Sequence, residues 1–258
     1  MISNNSIKMY LLINGSLFTI AYMYHEALQI SYIATLIFTI LRNIGMTKAI
    51  EYYSTRGKRL LNIDYVYPEG EYLLYIVQGS IIETTTTYVS LPNTIDTNIP
   101  NVMLTFIPLS FIFEIIFDFF YYWSHRILHT YNLPWHKVHH NHIHLKPVIT
   151  FYQDLVDVLL TVSLPFIFSE RIIGSVYPIS SLEISLLVTY KIYTEICGHT
   201  GHESSPTCAF PQCIWLPKLF NIELYTEDHN LHHRNPSRNF SKRFILWDKV
   251  FGTYQISS

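Results

Sequence analysis

Residues 102–129 read VMLTFIPLSFIFEIIFDFFYYWSHRILH, an apolar run that ends in two histidines. The part from 102 to 123 is the strongest membrane-span candidate in the chain, because a helix needs about 20 mostly apolar residues to cross a bilayer. Glu114 and Asp118 interrupt the run. Ionisable side chains at that depth are costly unless they face the protein interior, so we expect both to support a structure inside a helical bundle.

The two acids and the two histidines of this stretch fall on one face of a helix. Glu114, Asp118, His125 and His129 follow one another at intervals of 4, 7 and 4 residues. At about 100° per residue they stay within about 60° of one another. This placement predicts that Asp118 accepts the second ring N–H of a ligating histidine. Helix capping or structural pairing explains Glu114 equally well.

Histidines are concentrated in the second half of the sequence. The chain has 13 histidines, and the pattern HKVHH at 136–140 returns as HNLHH at 229–233. The stretches HRILH and GHTGH complete four groups, and each group uses a spacing of three or four residues, which places rings on one helix face. The candidate metal ligands are His125, His129, His136, His139, His140, His199, His202, His229, His232 and His233.

The number of clustered rings predicts a site with two metal ions. Packed as cations the imidazoles would repel one another, whereas the neutral ring is the form that binds a metal. One zinc or iron ion takes about four to six ligands, so eight to ten histidines imply two ions. Glu195 lies four residues before His199 and is expected to orient the His199 ring, in the same way as Asp118 is expected to orient a ligating ring near it. Ligand spacing alone leaves redox metals and water-activating zinc equally open.

Further apolar segments predict an all-α fold of membrane hairpins. Residues 11–24 and 27–41 form one pair, and 155–168 and 172–193 another, while 72–90 is ambiguous between helix and other structure. The basic stretch 42–61 is typical of a cytosolic loop. If 72–90 crosses the bilayer, every histidine stretch lies on the same side as that loop. The fold prediction is therefore integral membrane hairpins with a cytosolic helical cap that carries the metal site.

Composition agrees with a membrane environment and excludes some partners. Apolar residues make up 49% of the chain and charged residues 14%, against about a quarter in ordinary soluble proteins. The net charge of −2 gives no basic field for nucleic acid. The three cysteines form no C-x-x-C pair, so we expect reduced thiols. The first residues lack the pattern of a cleaved signal peptide.

The stretches YYWSHRILH, WHKVHHNH and EDHNLHHRNPSRNF, followed by ILWDKVFGTY, resemble the fatty acid hydroxylase/sterol desaturase superfamily of membrane-bound non-haem di-iron enzymes. The likeness covers about residues 110 to 256. It implies two domains, an N-terminal hairpin region with its connecting segment at 1–100 and a catalytic region at 101–258. His199 matches the isolated histidine of the family, and His202 is a weaker match. His142 and His144 are left outside the ligand set.

The resemblance also implies the chemistry and its participants. These are two iron ions, O2 as co-substrate, and electrons from NADH or NADPH through a separate cytochrome b5 or reductase. The expected substrate is a sterol or a fatty acyl lipid, hydroxylated or desaturated at the endoplasmic reticulum with the histidines facing the cytosol. No catalytic residue beyond the metal ligands is expected. A membrane zinc hydrolase and a non-catalytic protein that binds metal or lipid are the two alternatives.

Overall fold

A computed structural model describes residues 4–60, 69–92, 99–142, 145–203 and 209–256. Within these ranges the protein is helical, and its extended pairings are two isolated bridges. The predicted all-α class is confirmed. Cys197 and Cys213 are free thiols, and Cys208 lies outside the described residues.

The helices follow the chain in a simple order. They are α1 (Asn4–Ile30), α2 (Tyr32–Ser54), α3 (Glu69–Ser90), α4 (Ile99–Thr130), α5 (Pro134–His140), α6 (Leu155–Val158), α7 (Leu164–Gly174), α8 (Ser181–Gly198), α9 (Trp215–Leu219), α10 (Thr226–Arg234) and α11 (Leu246–Val250). A 3₁₀ turn at Pro147–Phe151 precedes α6, and a π-helical turn at Leu159–Ser163 joins α6 to α7.

The N-terminal half consists of three long helices. Ser31 alone separates α1 from α2, and its hydroxyl accepts a hydrogen bond from the backbone N–H of Ala34, so it caps α2. α1 packs on α2 and α8, and α2 packs on α3. The ambiguous segment 72–90 is therefore helical, as part of α3.

The interface between α2 and α3 is polar. Arg42 forms an ion pair with Glu83, and the Asn43 amide donates to the Ser80 hydroxyl at 3.1 Å. Because these polar side chains bind one another inside the bundle, they are compatible with apolar surroundings.

Among the described helices, two are long and apolar enough to cross a bilayer by length and composition, namely α2 and α4. In α4 the buried positions recur every three or four residues from Val102 to Leu128, and they include Glu114, Asp118 and His125. The opposite face is apolar and exposed, with Leu104 at 80% and Met103 at 60% of their full accessibility. Large apolar side chains left exposed on a continuous face indicate contact with lipid.

The helix α8 is the centre of the bundle. A capping box fixes its start, because the Ser180 hydroxyl accepts from the Glu183 N–H while the Glu183 carboxylate accepts from the Ser180 N–H. Nearly every residue of α8 is buried, and α1, α2, α3, α4 and α10 all pack against it. Its C-terminal end carries His199 at the cap position.

The segment after α10 folds back under α4. The Asp248 carboxylate accepts hydrogen bonds from the backbone N–H groups of Phe240 and Ser241, each at 2.8 Å. The Trp247 indole N–H donates to the Ile115 carbonyl on α4 at 3.0 Å. Gly252 adopts φ +70°, which suits glycine because it has no side chain to clash. These contacts fix residues 239–253 against the helix that bears the first two histidines.

Candidate metal centre

Nine of the ten predicted ligands converge into two groups at one end of the bundle. The five-histidine group contains His125, His129, His136, His140 and His232. The four-histidine group contains His139, His199, His229 and His233. Within each group one ring nitrogen of every member lies within 4.8 Å of the others.

The repeated H-x-x-H-H pattern distributes its rings between the groups in a regular way. In the first copy, His136 and His140 enter the five-histidine group, while His139 enters the four-histidine group. In the second copy, His229 and His233 enter the four-histidine group, while His232 enters the five-histidine group. Histidines four residues apart on α5 or α10 thus belong to the same group, and the histidine between them belongs to the other group. The two groups adjoin, with the His140 and His233 ring centroids 4.5 Å apart.

The outer nitrogens of several rings are bound to the protein. In the five-histidine group the Nδ1 of His125 lies 2.7 Å from the Phe240 carbonyl oxygen, and that of His232 lies 2.6 Å from the Arg238 carbonyl oxygen. In the four-histidine group the Nδ1 of His199 lies 2.7 Å from the Glu195 carbonyl oxygen. A carbonyl oxygen only accepts, so these Nδ1 atoms carry the proton and each Nε2 has a lone pair facing inward.

The inward nitrogens lie at the separations expected of ligands that share one metal ion. The Nε2 atoms of His129 and His232 lie 3.1 Å apart, and those of His199 and His229 lie 3.0 Å apart. His232 and His199 present lone pairs there, and both nitrogens of buried His233 lack a hydrogen-bond partner among the described residues. Nitrogens bound to one ion at about 2.1 Å are separated by about 3.0 Å at a right angle and about 3.4 Å at a tetrahedral angle. Both groups therefore fit a bound metal ion.

The protonation state of the rings also suits metal binding. Burial lowers the pKa of His199 and of His232 to about 3. Burial, followed by the charges of neighbouring rings, brings the pKa values of four further ligands far below the ordinary value, namely His139, His140, His229 and His233. These six rings are therefore neutral at physiological pH, and the neutral imidazole is the form that binds a metal.

Asp157 binds a ligand ring, and the sequence analysis missed it. Both oxygens of its fully buried carboxylate lie close to the Nδ1 of His136, at 2.9 and 3.0 Å, while the Nε2 of His136 has no hydrogen-bond partner among the described residues. A carboxylate at the outer nitrogen fixes the ring and raises its basicity. Asp157 interrupts the apolar segment 155–168, which is the same signal that identified Asp118.

The Asp118 carboxylate binds backbone N–H groups and not a histidine ring. It accepts hydrogen bonds from the backbone N–H groups of Lys242 at 2.8 Å, Arg243 at 3.0 Å and Phe244 at 3.1 Å. These bonds fix the segment whose Phe240 carbonyl accepts from His125. Asp118 thus supports His125 through the backbone, without touching it, because the chain of residues 240–244 lies between α4 and the site.

Glu195 supports His199 with its backbone carbonyl, and its side chain turns to buried cations. The carboxylate lies 2.9 Å from the Lys191 ammonium and 2.9 Å from the Arg243 guanidinium. The same guanidinium lies 2.9 Å from the Glu114 carboxylate, so Glu114 is part of an ion network. The structural interpretation of Glu114 therefore agrees with this geometry.

The remaining histidines lie outside both groups. The Nδ1 of His202 is bonded to the Thr200 carbonyl at 2.8 Å, and the residue forms a backbone bridge with Arg59. The His142 ring contacts the Tyr152 ring edge-on, with centroids 4.3 Å apart. His25 is buried in α1, and His144 lies outside the described residues. Of the ten predicted ligands, His202 is the one that the structure does not bring to a group.

Replacing Asp157 by asparagine is expected to weaken metal binding in the five-histidine group by about 10- to 100-fold, because His136 loses its carboxylate partner. Competition with a chelator, followed by metal analysis, measures the change. Asp154→Asn is the matched control, since Asp154 caps α6 through the Val156 N–H and touches no ligand in the contacts described here. Equal metal affinity in the Asp157→Asn variant and the native protein would contradict the role assigned to Asp157.

Comparison with known proteins provides an independent line of information. A family model described as "Fatty acid hydroxylase" matches residues 110–253, which contain both histidine groups. No solved structure matches the chain.

Curated relatives carry related names. Fatty acid hydroxylase vlmA of Lecanicillium sp is 34% identical over 151 residues, which cover 55% of this chain and 40% of that protein. Alkylglycerol monooxygenase of Homo sapiens is 28% identical over 144 residues, which cover 54% of this chain and 28% of that protein. Very-long-chain aldehyde decarbonylase GL1-5 of Oryza sativa subsp. indica is 28% identical over 146 residues, which cover 55% of this chain and 22% of that protein. The chain thus spans less than half the length of each of these relatives.

Proposed function

The chain belongs to the fatty acid hydroxylase family, and from that premise we propose that it is a membrane-bound di-iron oxidoreductase acting on a lipid. It would use O2 and external electrons to hydroxylate or desaturate a sterol or a fatty acyl chain. The observation that carries the proposal is the pair of adjoining histidine groups whose ring lone pairs face inward.

The geometry favours iron over zinc in at least one group. Five imidazoles converge in the five-histidine group, whereas zinc in proteins usually binds four ligands in a tetrahedron. The spacings of 3.1 to 3.2 Å between neighbouring Nε2 atoms there lie between the right-angle and the tetrahedral value, so the number of ligands is what favours iron. When bound, two redox metal ions supply the oxygen activation that attack on an unactivated C–H bond requires.

The protein's own residues hold, orient and desolvate the site. Carbonyl groups and Asp157 fix the rings of His125, His136 and His232 from outside, so these three rings are already oriented before an ion binds. Most of the ligands are buried, and the Phe240 ring packs on His125 and His232 at centroid distances of 5.9 and 5.7 Å. Such an enclosure keeps water away from a reactive centre.

The partners and location belong to the same proposal. The relatives named for fatty acid hydroxylation and for alkylglycerol oxidation support a lipid substrate. The exposed apolar faces of α2 and α4 support integration into a membrane. We propose the endoplasmic reticulum, with the histidines facing the cytosol and a separate cytochrome b5 or reductase delivering electrons from NADH or NADPH.

Lipid analysis of an expression host tests the function. We expect cells that express the chain to accumulate a lipid heavier by one oxygen atom or lighter by two hydrogen atoms. Isotopically labelled O2 should mark the oxygen of a hydroxylated product. Cells that express the double variant His232→Ala, His233→Ala serve as the control. Zinc in active protein, with turnover that persists without O2, would instead identify a hydrolase. If the double variant performs the protein's cellular role as well as the native chain does, the protein is a non-catalytic metal- or lipid-binding protein.

A further inference from the structure

The ammonium group of Lys242 is buried beside the histidine groups without a hydrogen-bond partner. The residue is 5% exposed, and its Nζ finds no hydrogen-bond acceptor among the described residues. The nearest carboxylate oxygen with which it forms an ion pair is Glu195 Oε2, at 3.9 Å. A buried ammonium is costly unless it is paired and hydrogen-bonded, so this group requires an explanation.

The surroundings of the ammonium place it below both groups. Its Nζ lies 5.4 Å from the centre of the Tyr121 ring, which packs on His125 with centroids 5.0 Å apart. Glu195, its carboxylate neighbour, accepts from His199 through its backbone carbonyl. His125 belongs to the five-histidine group and His199 to the four-histidine group. The ammonium is therefore linked to one ring of each group through a shared neighbour, to His125 through Tyr121 and to His199 through Glu195.

Neutralisation of Glu195 does not explain Lys242. The Glu195 carboxylate already has the Lys191 ammonium and the Arg243 guanidinium at 2.9 Å each. Lys242 lies 3.9 Å from this carboxylate, beyond hydrogen-bond distance, so the ion pair leaves its N–H groups unused. The free N–H groups of Lys242 are therefore available to another acceptor.

We propose that Lys242 donates a hydrogen bond to a small anion held between the two histidine groups. The inference rests on the proposed metal pair, because two divalent ions bound by neutral imidazoles leave a large positive charge uncompensated. Among the described residues both groups consist of histidine alone, so no carboxylate ligand neutralises that charge. An anionic oxygen or a similar small anion supplies the missing negative charge, and the ammonium fixes its position. Lys242 is thus a positioning residue that acts on the anion.

Azide binding to the cobalt(II)-loaded protein in detergent tests this role. Azide is a small anion, and its binding changes the visible absorption of cobalt(II). We expect Lys242→Met to raise the azide dissociation constant about tenfold or more, as loss of one hydrogen bond to a charged group predicts. Lys242→Arg, which keeps a charged donor, should stay within about threefold of the native value.

Lys191→Met is the matched control. It also removes a buried ammonium next to Glu195, but its Nζ is bonded to that carboxylate at 2.9 Å. We expect it to bind azide like the native protein at equal cobalt content. Native azide affinity in Lys242→Met, or equal loss in both methionine variants, would overturn the proposal. If Lys242→Met does not fold, Lys242→Gln and Lys242→Arg are compared at full cobalt content. The proposal would be overturned if Lys242→Gln bound azide with native affinity while Lys242→Arg bound azide weakly.

The experiment also separates this inference from the proposed function. Binding of two cobalt ions per chain tests the metal pair without any turnover. A protein that binds two ions and azide but oxidises no lipid would retain the role of Lys242 and reject the lipid oxidase. A protein that binds fewer than two ions would reject the metal pair itself, and the role of Lys242 with it.

Discussion

Replacing His233 by alanine is expected to reduce the bound metal from two ions per chain to one and to abolish lipid oxidation. His233 lies in the four-histidine group, and both of its ring nitrogens lack a hydrogen-bond partner among the described residues. Its removal leaves three imidazoles in that group and all five in the other. Elemental analysis of the purified protein gives the metal content, and lipid analysis gives the activity.

His202→Ala is the control for this prediction. His202 matched the same sequence pattern, but its Nδ1 bonds to the Thr200 carbonyl and the residue belongs to neither group. We expect this variant to keep both ions and most of its activity. Loss of an ion in His202→Ala, or retention of both ions in His233→Ala, would show that the groups are assigned incorrectly.

The difference between His202 and the nine grouped histidines shows what spacing can predict. Within α5 and α10, rings three or four residues apart must point to one side, so the convergence of these rings was predictable from the sequence. The division of each triplet between two groups was not, because it depends on how α5 and α10 face one another. His202 follows the end of α8 in a turn where Gly201 has φ +67°, and helical spacing does not apply there.

The acids show the same limit of sequence information. Charges in an apolar segment identified Glu114 and Asp118 as interior groups, and both are buried. Their partners were not predictable, because the Asp118 carboxylate meets backbone N–H groups more than a hundred residues away in sequence. Asp157 carried the same signal in a segment without histidines, and only the packing of α6 against α5 brings it to His136.

The fold was predictable where hydrophobic periodicity is strong. The span in α4 follows directly from its apolar run, and its buried face keeps the predicted stripe of acids and histidines. The segments 155–168 and 172–193 were predicted as two arms of a hairpin, but α7 continues to Gly174 and α8 begins at Ser181, and a π-helical turn lies within the first arm with Pro165 soon after it. A π-turn breaks the regular hydrogen-bond ladder, and helical periodicity does not reveal it.

Replacing Arg243 by methionine is expected to destabilise the protein by about 3–5 kcal/mol, because it leaves buried carboxylates without their partner. Arg243 is 1% exposed, and its guanidinium lies 2.9 Å from both Glu114 and Glu195. It also donates to the Thr194 hydroxyl at 2.6 Å. For a chain of this length we expect the midpoint of thermal unfolding, measured in detergent at fixed metal loading, to fall by about 6 to 20 °C.

Arg238→Met is the matched control, since Arg238 is exposed and its side chain donates to the Gly252 carbonyl at 3.2 Å. Its own carbonyl, which accepts from His232, is unchanged by the substitution. We expect a loss of less than about 1 kcal/mol, as for other surface polar contacts. The double variant Arg243→Met, Glu114→Leu should recover part of the stability, because it removes one of the two carboxylates that Arg243→Met leaves unpaired. If Arg243→Met were no more destabilising than Arg238→Met, the buried network would not be what fixes residues 240–244 beneath His125.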